Sequence, residues 1–129
     1  MNALELALSA PAANRPSTWA DRVRVALVGL SADLREHIDA TEGSEGLYAD
    51  VLRTAPRLAN AVADLTRHHV QLRRLVDDAI NGVGRSGDAS AVETVRELGT
   101  TVLTELTRHR QRGADLVFEA YQSDIGGET

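Results

Sequence analysis

The chain contains no cysteine and no lysine. Without thiols there is no disulfide, no thiolate nucleophile, no iron–sulfur ligation and no cysteine-type zinc site. All 14 cationic side chains are arginine, so Schiff-base chemistry and the lysine of a phosphate loop are excluded as well. Aromatic residues make up only 3% of the chain, as Trp19, Tyr48, Phe118 and Tyr121. That is too few for a single-strand stacking platform, and it requires an aliphatic, alanine-rich core of the kind helices build. A net charge of −5 and a pI near 5.3 lack the basic surface that nucleic-acid backbones demand. No segment approaches the roughly 18 to 20 apolar residues of a membrane span. The opening stretch carries Glu5 and no early positive charge, unlike a secretory leader. These absences predict a soluble, cytoplasmic protein that contacts neither nucleic acid nor membrane. Heavy use of Ala, Arg, Val and Asp matches a GC-rich bacterial genome.

What is present is helical periodicity. At 129 residues the chain is one domain. Residues 1–16, closing on Asn14-Arg15-Pro16, read as a flexible N-terminal arm, 17–123 as a helical bundle and 124–129 as a disordered tail. A first long helix starts near Ser17 or Thr18 and reaches about Thr41, with Trp19, Val23, Ala26, Leu30, Leu34 and Ile38 stepping by three and four. A second runs from Pro56 to about Ile80 with Leu58, Val62, Leu65, His69, Leu72, Val76 and Ala79 in strict 4-3 alternation, a bundle seam. A third carries Val92, Val95, Gly99, Val102, Leu106, His109, Gly113, Leu116 and Ala120, and either reaches Tyr121 or breaks at Gly113. It outruns the second, and the amphipathic 45–54 segment is the natural cover for the overhang at 114–121. The predicted fold class is all-α: an antiparallel up-down bundle of three long helices plus a short fourth element.

One phrase recurs on all three helices: Asp33-Leu-Arg-Glu-His37, Asp64-Leu-Thr-Arg-His68 and Glu105-Leu-Thr-Arg-His109. In a helix a carboxylate and a histidine four residues apart share a face. Bundles gather nitrogen and oxygen metal ligands in this way. The plainer reading is that histidines on a seam are satisfied core residues. Folding the last two helices about a turn near residue 85 sets His109 level with about Ala61, with His37 at a similar height. His68 then falls roughly 10 Å away along the axis. On that geometry His37, His109, Asp64 and Glu105 are the leading metal ligands, with His68 or His69 joining only if the turn lies several residues elsewhere. The carboxylates flank the seam, so the expectation without metal is charge-stabilised imidazoles with raised pKa values.

The phrases Leu34-Arg-Glu-His37, Leu65-Thr-Arg-His68 and Leu106-Thr-Arg-His109 resemble those of the hemerythrin-like (HHE cation-binding) family, over about residues 18–121. The resemblance implies an antiparallel four-helix bundle holding non-haem iron, often as a di-iron centre, for dioxygen binding, redox sensing or iron handling. By it, His37 matches the first-helix ligand, His68 or His69 the second-helix histidine and His109 the last-helix histidine. In the family a carboxylate follows its histidine by four or five positions, but Leu72, Arg73, Gly113 and Ala114 stand there, and the His-x-x-x-His pair of the third helix is absent. The resemblance therefore implies a mononuclear or lost site, with iron or zinc as the ion, rather than a complete di-iron centre.

Gly82-Val-Gly84-Arg-Ser-Gly87 satisfies a dinucleotide fingerprint literally, but it follows a helix instead of a strand and reads as an interhelical loop. The arginines at 67, 73 and 74, and at 108, 110 and 112, read as solvated faces or as a docking patch for an acidic partner. Gly99 and Gly113 on one seam point to close helix approach, a bend, or room for a ligand. No nucleophile elbow, cysteine–histidine pair or phosphate loop is present, which disfavours an enzyme. Two functions remain: a metal-binding bundle, and a metal-free protein-interaction module, of which a homodimer is one form.

Overall fold

The computed structural model describes residues 2–10, 16–84 and 89–123. Its elements are α1 (Asn2–Ser9), α2 (Pro16–Glu42), α3 (Leu47–Thr54), a 3-10 turn (Pro56–Leu58), α4 (Ala59–Gly84), α5 (Ala89–Val117) and a π-helical end (Phe118–Ser123). There is no strand among the described residues, and the fold is the expected all-α bundle. No helix is long and apolar enough to cross a membrane among these residues. The predicted tail at 124–129 lies outside the described residues.

The long helices α2, α4 and α5 build the core, and α4 packs along both of the others. By contrast, α2 and α5 touch one another over a much shorter stretch, so a cleft separates them. The predicted seam of α4 is buried: Leu65, Leu72, Val76 and Ala79 face inward. Apolar burial forms two clusters. The larger joins Val23, Leu27 and Leu34 of α2 to Leu72 and Val76 of α4 and Val95, Val102 and Leu106 of α5. The smaller gathers Tyr48, Val51, Val62, Leu65, Leu116 and Ala120, so α3 covers the overhang of α5 as its amphipathic pattern predicts. On each long helix the histidines fall between the two clusters, after Leu34, between Leu65 and Leu72, and between Leu106 and Leu116.

Two sequence expectations are revised. Where an arm outside the bundle was expected, α1 forms and buries Leu4 and Leu8 against α2 and α5. A helix of eight residues is marginal alone, and apolar docking of this kind supplies its stability. Second, α4 continues past Ile80 to Gly84. Gly82, read as part of a loop, is helical, and a Cβ there would come 2.8 Å from Leu98 Cδ1, so this glycine permits close approach of α4 and α5. Of the two courses open to the third long helix, α5 takes the unbroken one through Gly113.

The two seam glycines of α5 have different reasons. A Cβ on Gly99 would meet Leu8 Cδ1 at 2.7 Å, so Gly99 is the socket for α1. A Cβ on Gly113 would meet nothing within 4 Å, because Gly113 borders the α2–α5 cleft. Gly113→Ala is therefore expected to raise the unfolding free energy by about 0.5 to 1 kcal/mol, the helix-propensity gain. Gly99→Ala is expected to lose that gain to the displaced Leu8. Denaturant titration of both variants checks this; a destabilised Gly113→Ala would contradict the open cleft.

Candidate metal centre

Four imidazoles from three helices meet in the gap between the two apolar clusters. His109 Nε2 lies 3.3 Å from His37 Nε2 and 3.0 Å from His69 Nε2. His37, His69 and His109 each offer a ring nitrogen, and these atoms all lie within 4.8 Å of one another. His69 and His109 are buried, at 1% and 4% exposure, while His37 sits exposed at the cleft mouth. From outside, Glu42 Oε2 approaches His69 Nδ1 at 2.6 Å. His68 Nδ1 lies 3.1 Å from His109 Nδ1, and His68 Nε2 lies 3.2 Å from Glu105 Oε2.

The partners assign the tautomers. A carboxylate only accepts, so His69 donates from Nδ1 to Glu42 and its neutral ring bears a lone pair on Nε2. His68 donates from Nε2 to Glu105, leaving Nδ1 to accept. His109 donates from Nδ1 to His68, and its Nε2 also bears a lone pair. Two buried lone pairs thus face each other at 3.0 Å, and His37 can turn a third toward them with its proton on Nδ1. The Tyr48 hydroxyl, 3.4 Å from His69 Nε2, donates toward the same point; burial raises the phenol pKa and keeps that proton in place.

The converging nitrogens form a group able to hold a cation, and a proton is a poor one here. Burial, and then the neighbouring His69, His68, His37 and Arg112, lower the pKa of His109 to about 4. His37 is lowered too, by burial first and His69 second, with Glu42 opposing. The expected raised pKa values are thus reversed for these two rings. Burial is the first reason, and a different pairing is the second: among the described residues, no hydrogen bond joins the carboxylate and histidine of one recurring phrase. Glu105 serves His68 and Arg108, and Asp64 pairs with Arg67.

Of the sequence-predicted ligands, the structure brings His37, His69 and His109 together directly and sets His68 and Glu105 behind His109. Asp64 is not with them; it is exposed and lines a separate cleft with Arg112, Asp115 and Glu119. The level was misjudged because α4 and α5 pair several residues out of the register that a fold about residue 85 gives: Gly82 stands against Leu98, which brings His68 and His69, rather than Asp64, level with His109. Glu42 and Tyr48 were missed. Glu42 had a signal, since it follows His37 by five positions. Tyr48 offered only its place on the amphipathic covering segment.

Comparison with family models, with curated proteins and with solved structures gives no match for this chain.

Proposed function

We propose that the bundle binds a single first-row divalent metal ion on the Nε2 atoms of His37, His69 and His109. The observation that supports this most is the convergence of their lone pairs. Two nitrogens each about 2.0 to 2.1 Å from a tetrahedral ion lie roughly 3.3 Å apart, and the two closest pairs stand at 3.0 and 3.3 Å. Glu42 and the His68–Glu105 pair do what outer carboxylates do at metal sites, fixing ring orientation and tautomer. Because both carboxylates hold rings, and Asp64 is turned away, one ion fits and a bridged pair does not. Neutral imidazoles suit iron and zinc alike.

With iron, the reading is a reduced hemerythrin-like centre for oxygen or redox sensing, or for iron handling. Three protein ligands leave a coordination position open toward the cleft, where an exogenous donor can reach the ion. The test is elemental analysis of protein purified without chelator and after anaerobic ferrous reconstitution. About one equivalent is expected, lost in the His37→Ala, His109→Ala double variant; less than about a tenth of an equivalent in the wild type would overturn the proposal in favour of a metal-free interaction module. Glu42→Ala is expected to weaken zinc(II) affinity by about 10- to 100-fold in dye competition, while Asp64→Asn changes nothing. Equal affinities for Glu42→Ala and wild type would show that Glu42 orients no ligand.

A further inference from the structure

The cleft between α2 and α5 has a volume of about 640 Å³, within the range of small-molecule sites. Its walls are Leu30 and Leu34 of α2, Leu47 of α3, and Leu106, Ala114 and Val117 of α5. Polar groups are few: buried His109 on the floor, His37 at the mouth, Thr41 and Tyr48 toward α3, Asp33 on the α2 wall and Arg110 on the α5 wall. From Leu106 to Val117 the groove runs roughly 16 Å along the helix, so it is elongated, with the histidines part-way along. Gly113 keeps it open, since even a Cβ there would have no neighbour within 4 Å.

We infer that this cleft binds a small monocarboxylate with an elongated hydrocarbon body, its carboxylate directed at the open position of the histidine-bound ion. This rests on the metal reading above. Three neutral imidazoles leave the ion's double positive charge uncompensated, and Glu42 and Glu105 approach the rings from outside rather than the ion. An anionic donor supplies the missing charge in a site of low dielectric, and Arg110 adds a second positive group on the cleft wall. The hydrocarbon follows from the leucine and valine walls. A single carboxylate follows from Asp33, one turn from His37, which repels a second anionic group placed along the same wall.

The experiment uses calorimetric titration of octanoate, and of octanol as the analogue without a carboxylate, into the full chain. Each is run zinc(II)-loaded and chelator-treated, for wild type and Gly113→Leu. A leucine at 113 enters open space, so the variant is expected to fold normally by circular dichroism and to keep one zinc per chain. Octanoate is expected to bind the zinc-loaded wild type about tenfold more tightly than the chelated protein, with no such gain for octanol, and Gly113→Leu is expected to weaken octanoate binding about tenfold. Unchanged octanoate affinity in folded, zinc-replete Gly113→Leu, or an equal zinc response for octanol, would overturn the inference. If zinc does not bind at all, the metal reading alone fails. The cleft is then judged by octanoate in the metal-free protein: binding lost in Gly113→Leu upholds it, and binding that is absent or indifferent to that change overturns it.

Discussion

Saturating zinc(II) is expected to stabilise the protein against unfolding by about 4 kcal/mol when the free ion stands a thousandfold above its Kd. The ligands come from α2, α4 and α5 and converge only in the folded chain, so binding free energy becomes folding free energy. The unfolded chain keeps only the adjacent His68 and His69 as a weak local pair, and that residual affinity subtracts little. In His109→Ala the gain is expected to vanish, because His109 Nε2 lies within hydrogen-bond distance of both other Nε2 atoms. Denaturant unfolding with and without the ion measures this. An equal zinc response in wild type and His109→Ala would place the ion elsewhere.

Acid is expected to act in the opposite direction on the metal-free protein. His109 titrates near 4 when folded and near 6.5 when unfolded, so between these values the unfolded chain binds the extra proton. Stability therefore rises with pH across that window: it is fully present above about 6.5 and is lost progressively as pH falls toward 4. At about 1.4 kcal/mol per unit, His109 alone contributes on the order of 3 kcal/mol, and the lowered pKa of His37 adds a smaller loss of the same sign. Glu42 favours protonation of His37, whereas Arg112 and the other rings disfavour protonation of His109. Unfolding free energies of chelator-treated protein from pH 8 to 5 are expected to fall, and His109→Gln to flatten the fall. A stability that climbs on acidification would mean the imidazoles are solvated and charged.

The parts of this structure that could be read from the sequence are those set by local periodicity. The 4-3 spacing through Leu65, Leu72 and Val76 fixed the buried face of α4, and the amphipathic 45–54 segment identified the cover over Leu116 and Ala120. The level of His37 with His109 was legible because α2 and α5 begin from recognisable breaks. The register of α4 against α5 was not. Gly82 and Gly84 look like loop residues in isolation, and only the approach of Leu98 explains a helical glycine at 82. That register puts His69 instead of Asp64 at the centre. The partner of each carboxylate was also illegible, because Glu105 crosses to another helix to reach His68 and, along its own, bonds Arg108 instead of His109. The docking of α1 depends on the hollow over Gly99, a tertiary fact that no pattern within the first 16 residues contains.

That hollow has a consequence for how the molecule opens. α1 is held by Leu4 and Leu8 against α2 and α5, with Leu8 over Gly99, roughly 15 Å along the helix from His109. An eight-residue helix has almost no cooperativity of its own, so it detaches as a unit long before the long helices separate. Amide hydrogens of α1 will then exchange on a faster tier than those of α4, through excursions that leave the histidine end intact. The bundle has two independent thresholds, a shallow one at the α1 end and a deep one where the imidazoles meet, and a ligand at the second cannot slow the first.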